Sequence, residues 1–207
     1  MTSPEVSSRG KVSVGYAPWI WIPCPPDFPE GLDLNSWALH YAQEWWANRG
    51  PELGELGELG ESGVQLLAMT LAGMHDYAYA NLEMHQGLIH LPETGLAPLL
   101  VSFAFWEAAG DRTEQLRALV HADDPAAIQP PEVTEFTTPR LGAGLKSLIY
   151  TRTDVTLSAH LNYAWRSEEL GTAVRMFTAC PDLGRLHRAL PDIEQVARLL
   201  RITPVEP

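Results

Sequence analysis

Basic residues are scarce in this chain. Fourteen Lys and Arg face 26 Asp and Glu, a formal charge of −12 over 207 residues, and no basic cluster stands anywhere along it. Binding a phosphate backbone depends on clustered Lys and Arg, so nucleic acid is excluded as a partner. A basic protein surface or a cation is the better electrostatic match. Cysteine occurs twice, at Cys24 and Cys180, far apart and without paired spacing. That supplies neither a disulfide framework nor a zinc site, and reduced, partly buried thiols follow. No apolar run is long enough to span a bilayer.

Recognisable catalytic and nucleotide signatures are also missing. There is no glycine-rich phosphate loop with its lysine, no G-x-S-x-G elbow, no H-E-x-x-H helix and no dinucleotide fingerprint. The glycines of Leu141–Leu145, LGAGL, lie beside strand candidates and lack the helix N-terminus of a phosphate cradle. The composition therefore asks for no cofactor and no metal, and nothing positive asks for catalysis. Arg9 and Lys11 precede an apolar stretch ending at Cys24, the outline of a lipoprotein signal. Gly15, Pro18 and Pro23 interrupt it, with proline directly before the cysteine where such a signal carries a small residue. The chain reads as cytoplasmic.

What is present is a globular composition, 45% hydrophobic with 9% aromatic residues. A chain of this length removes roughly 70% of its unfolded surface from water. Residues 1–10 read as a polar tail and 11–203 as one domain. Tyr16–Ile22 suits a strand with Trp19 and Trp21 on one face, ended by Pro23, Pro25, Pro26 and Pro29. Asp33 or Asn35 caps a helix to about Asn48, on which Trp37, Tyr41 and Trp45 form one aromatic stripe. Residues 51–62, PELGELGELGES, read as a flexible acidic loop, because glycine at every third position disfavours an α-helix. Val64 to about Tyr77 is helical in pattern, and alternation from Tyr79 to Leu91 suggests a strand. Leu99–Trp106 is a buried strand, and Asp111 with Glu114 opens a short helix. Four strand candidates follow, at Val133–Thr138, Leu145–Thr153, Thr156–Trp165 and Thr172–Ala179, with connectors short enough for antiparallel hairpins. Pro181 and Asp182 open a C-terminal helical region, whose clearest element runs from Asp192 to Arg201. The segregated order predicts an α+β fold, a mostly antiparallel β-sheet flanked by helices on both faces.

Among seven histidines, His85 and His90 share the strand expected after Tyr79. Being five apart, they point to opposite faces and cannot ligate one metal. His160 sits two residues from Ser158 on another strand, without an oxyanion hole or third group nearby. These three are the polar candidates for a cleft between sheet and helices.

The C-terminal block, LNYAWRSEELGTAVRMFTACPDLGRLHRALPDIEQVARLLRI, runs strand, tight turn, strand, proline-led turn, helix. In this it resembles the end of the PsbP-like (Mog/PsbP) sandwich domains and is similar to the LpqN-type lipoproteins of mycobacteria. In those families the first strand passes through prolines into a helix, as WIWIPCPPDFP passes into DLNSWALHYAQEWW. The resemblance implies an α/β/α sandwich of actinobacterial flavour that serves as an adaptor or accessory protein without a shared catalytic set. The leading expectation is accordingly a non-catalytic, protein-binding adaptor, with Tyr79, Trp106, Trp165, Glu55, Glu58 and Glu61 as partner contacts. The alternatives are a small-molecule binder or hydrolase using His85, His90 or His160, and a structural subunit of a larger assembly.

Overall fold

The computed structural model describes residues 10–49, 54–92 and 97–204. The tail expected at 1–10 lies outside them except for Gly10. In chain order the elements are β1 (Gly10–Ser13), β2 (Trp21–Cys24), α1 (Leu34–Arg49), a 3-10 helix (Gly54–Leu59) and α2 (Gly60–Asn81). There follow β3 (Gln86–His90), β4 (Leu99–Glu107), α3 (Arg112–Leu119) and β5 (Glu132–Thr138). The chain ends with β6 (Gly142–Arg152), β7 (Leu157–Ser167), β8 (Thr172–Cys180), α4 (Leu183–Leu199) and β9 (Arg201–Pro204). The fold is α+β with a mostly antiparallel sheet, as the segregated order predicts. It divides into two compact units: an inserted unit, Ala17–Leu100, and a flanking unit formed by the chain up to Tyr16 and from Val101 onward.

In the inserted unit, the first strand falls later than expected. Ala17–Ile20 forms a turn, with the amides of Ile20 and Trp21 donating to the Ala17 carbonyl, and leaves Trp19 65% exposed. Trp21 is buried and pairs opposite His90, so the two tryptophans do not share a strand face. The strand then runs through Pro23, opposite Leu88. Pro23 lacks an N–H, and it is tolerated because β2 is an edge strand. Beyond it the proline turn is held by α2: the Tyr79 hydroxyl donates to the Cys24 carbonyl (2.8 Å) and His75 Nε2 donates to that of Pro25 (3.0 Å). Phe28 packs on the rings of His75 and Trp37.

Asp33 caps α1 by accepting the Ser36 amide at 2.7 Å, and the aromatic stripe faces inward as its four-residue spacing requires. Trp37 and Trp45 are buried, and Trp45 Nε1 donates to the Leu91 carbonyl at 2.9 Å. The described part of the Leu-Gly-Glu segment is helical, which corrects the loop expectation. A three-residue repeat matches the three residues per turn of a 3-10 helix, so glycines that weaken an α-helix stack harmlessly here. Gly60, at φ 50°, makes the left-handed step into α2. That helix continues to Asn81, so Tyr79 is helical and the next strand waits until Gln86.

In the flanking unit β4, β8, β7, β6 and β5 pair in that order, every neighbour antiparallel. One face carries Leu145, Ser147, Asn162 and Ala164 against Leu116, Val120 and Ala122 of α3 and its following turn. The opposite face carries Lys146, Leu148, Leu161 and Tyr163 beneath α4, to which Lys146 is tied by an ion pair with Glu194 (2.8 Å). Helices therefore flank this sheet on both faces. Asp111 caps α3 by accepting the Glu114 amide (2.9 Å). Asp182 caps α4 through the Arg185 amide (2.8 Å), at the point where the sequence opens its C-terminal helical region. Pro191 stands inside this helix, where it removes the bond to the His187 carbonyl, and the element runs unbroken from Leu183 to Leu199. A ladder between β1 and β9, unforeseen from the sequence, joins the first and last described strands.

Candidate functional site

The two units differ sharply in charge. From Ala17 to Leu100 the chain holds eleven Asp and Glu against one basic residue, Arg49. The flanking segments hold the remaining fifteen acids and thirteen bases, so ten of the twelve net negative charges belong to the inserted unit. Within it, α2 carries Glu61 and Asp76 and no Lys or Arg.

Against that background the outward side of α2 is unexpectedly apolar. At about 100° per residue, Ser62, Leu66, Met69, Gly73, Tyr77 and Ala80 fall opposite the buried Ala68, Leu71, His75 and Ala78. Leu66 is 63% exposed, Met69 72% and Tyr77 63%. Leu59, at the end of the 3-10 helix, is exposed as well. The exposed positions of the other long helices are mostly polar, with Gln43, Glu44 and Asn48 on α1 and Arg188, Gln195 and Arg198 on α4, although Ala47 and Leu183 are exposed as well. A helix with apolar side chains on both sides needs a second apolar neighbour to cover the outer one.

The residues expected to bind a partner divide around this surface. Glu58 and Glu61 are exposed at its N-terminal end, while the side chain of Glu55 lies outside the described residues. Tyr79 is half-buried with its hydroxyl committed to Cys24, and burial raises its pKa. Trp165 is corrected outright as a contact. It is fully buried, stacked on Tyr163 at 5.9 Å, and Gly144 leaves room for its indole. Trp106 is half-buried on β4 opposite Ala173.

The three histidines offered as the polar group of a cleft have different surroundings. His85 precedes β3 instead of sharing a strand with His90; it is half-buried, and burial lowers its pKa against the opposing pull of Glu83. His90 is 1% exposed, its ring against that of Trp21 at 4.6 Å. His160 belongs to the flanking unit, where its Nε2 hydrogen-bonds Thr151 Oγ1 at 2.7 Å. A groove of about 140 Å³ does lie between sheet and helix there, lined by Leu148, Leu161, Leu183, Leu186, Leu190 and His187 among others. None of the three expected histidines lines it. Among the described residues no group of three or more His, Cys, Asp or Glu could hold a metal, and no helix is long and apolar enough to cross a membrane.

The sequence contained a signal for the outward α2 face. Leu66, Met69, Gly73 and Tyr77 follow at helical steps of three and four, beside the inward set that contains Leu67 and Leu71. The inward set alone is enough to specify a helix, and periodicity does not say which of two apolar sets is covered.

No family model matches the chain, and no curated protein sequence matches it. A solved structure that does match is that of LpqN, described as involved in cell envelope biogenesis of Mycobacterium tuberculosis, at 13% sequence identity and a TM-score of 0.46. The match covers 58% of this chain and 72% of that one.

Proposed function

We propose that this chain is a non-catalytic protein-binding adaptor that engages a partner through the outward face of α2, in a reducing compartment such as the cytoplasm. The observation that carries this reading is the exposure of Leu66, Met69 and Tyr77 on a helix whose inner side is already packed. Apolar and aromatic side chains gathered at an exposed face are the anchors from which interfaces draw most of their energy, with a polar rim around them. Glu58, Glu61 and Asp76 supply that rim, and all three are exposed. Cys24 and Cys180 are both free thiols, which suits a reducing compartment, and burial pushes the Cys24 pKa up to about 12, which leaves that thiol unreactive.

The test compares proteins co-purifying from the source cells with the wild-type chain and with a Leu66→Asp/Met69→Asp double variant. A partner held by the wild type and lost by the variant is expected, with the two proteins equally stable. A partner retained in full by the variant would overturn the assignment of this face.

A further inference from the structure

Two glycines inside α2 look alike in sequence and differ in what explains them. Gly63 is buried against α1, and a Cβ there would collide with the indole of Trp46. Its small size is therefore explained within the chain. Gly73 is exposed, and a Cβ built on it would meet nothing within 4 Å. It lies thirteen residues into a 22-residue helix, where glycine is the least favourable residue other than proline, and no turn or positive φ asks for it. It also stands at the centre of the apolar stripe, four residues after Met69 and four before Tyr77. A glycine in that place lets another backbone approach, or lets a large side chain seat between its neighbours.

We infer that the α2 face receives a single amphipathic α-helix of the partner, flanked by Lys or Arg, crossing closest at Gly73. The inference rests on the protein-binding reading above. The stripe from Leu66 to Tyr77 spans eleven residues, about 16 Å of helix axis, which matches roughly three turns of an opposing helix. The spacing of three, four and four residues is the seam that helix-on-helix packing uses. A bulky apolar side chain of the partner fills the notch at Gly73, between Met69 and Tyr77. The charge of the partner follows from the inserted unit, whose single basic residue cannot neutralise its eleven acids. A second copy of this chain would bring the same acidic unit, and α2 offers no Lys or Arg to meet the other copy's Glu61 and Asp76.

Three synthetic 18-residue helical peptides test this against the full chain by fluorescence anisotropy, with amide chemical-shift mapping to locate binding. The first has a Leu seam with Lys flanks, the second the same seam with Glu flanks, and the third Lys flanks with the seam Leu replaced by Ser. The first is expected to bind at least tenfold tighter than the others and to perturb residues 62–80. Gly73→Leu is expected to weaken it at least tenfold while leaving the thermal midpoint unchanged or higher, because leucine favours the helix. Equal binding by the Glu-flanked peptide, mapped to α2, would overturn the basic partner and leave the protein-binding reading standing. Unchanged affinity of the Gly73→Leu variant would overturn the notch. If the chain instead sediments as a dimer that Gly73→Leu dissociates, the occupant is a second copy and the inference falls. No perturbation of α2 by any peptide, together with retention of the cellular partner by the Leu66→Asp/Met69→Asp variant, would remove both readings.

Discussion

The inserted and flanking units are built from similar parts and do opposite things with polarity. The flanking unit mixes thirteen basic with fifteen acidic residues, and its helices turn polar side chains outward. One polar chain is paired within its sheet. Arg175 donates to Asn162 Oδ1 (2.7 Å), Asn162 donates to Ser147 Oγ (3.1 Å), and Ser147 donates to the Val120 carbonyl at the end of α3. The inserted unit concentrates one sign of charge and exposes an apolar helix face beside it. The contrast lies in charge balance and in where exposed apolar side chains gather, along one helix face in the inserted unit and at Ile128, Val155, Leu157 and Leu183 in the flanking one.

Substitutions that separate exposed from buried counterparts would break or sharpen that contrast. The largest effect is expected at Trp165, where truncation to Ala should cost about 3–5 kcal/mol in urea denaturation through loss of a fully buried indole. The exposed Trp19→Ala should stay within about 0.5 kcal/mol. Next, Gly63→Ala should destabilise by about 1–3 kcal/mol, because the new methyl meets the Trp46 ring. Gly73→Ala, on the same helix, should stabilise by about 1 kcal/mol. Equal effects at the two glycines would erase the distinction between a packed side of α2 and an open one.

A smaller gain is expected in the flanking unit. His121 is the one described non-glycine residue with positive φ, at 53°, just after the C-terminus of α3. The Ala122 amide bonding to the Arg117 carbonyl (2.9 Å) closes a turn that glycine makes more easily. His121→Gly should therefore raise stability by up to about 1 kcal/mol, read from the thermal midpoint.

The shallowest effect is on pH. Burial lowers the pKa of His85 in the inserted unit and of His121 and His160 in the flanking unit, with Arg175 adding to it for the latter two. The unfolded chain then binds protons more readily than the folded one below the usual histidine value of about 6.5. Their contribution is present above that pH and is lost as pH falls through the lower folded values. Urea midpoints measured from pH 7.5 to 5 should decline, and His160→Gln should flatten part of the slope. An unchanged slope in that variant would remove His160 from the account.

Much of the fold was legible because local chemistry and tertiary structure agreed. The Asp33 and Asp111 caps, the Trp37–Tyr41–Trp45 stripe and the hairpins from β5 to β8 all follow from spacing that only one element satisfies. Legibility failed where the chain broke a local rule with tertiary help. Pro23 stands in a strand because that strand is an edge, and Pro191 stands inside α4. The Leu-Gly-Glu repeat is helical because its period suits the tighter helix. Among the expected contacts Glu58 and Glu61 are exposed, whereas aromatic character alone selected Trp165 and Tyr79 without reporting which side of their elements they occupy.

The sequence by itself determined the class of fold, the acidity, the capping of two helices and the lack of catalytic signatures, because these depend on composition and on neighbours a few residues apart. Only the tertiary structure decided which of two apolar faces of α2 is covered, that Gly63 serves a neighbouring ring while Gly73 serves none, and that Trp165 is core while Trp19 is not. Burial is a property of what lies across space from a side chain, and helical periodicity records that a face is apolar without recording what, if anything, packs against it.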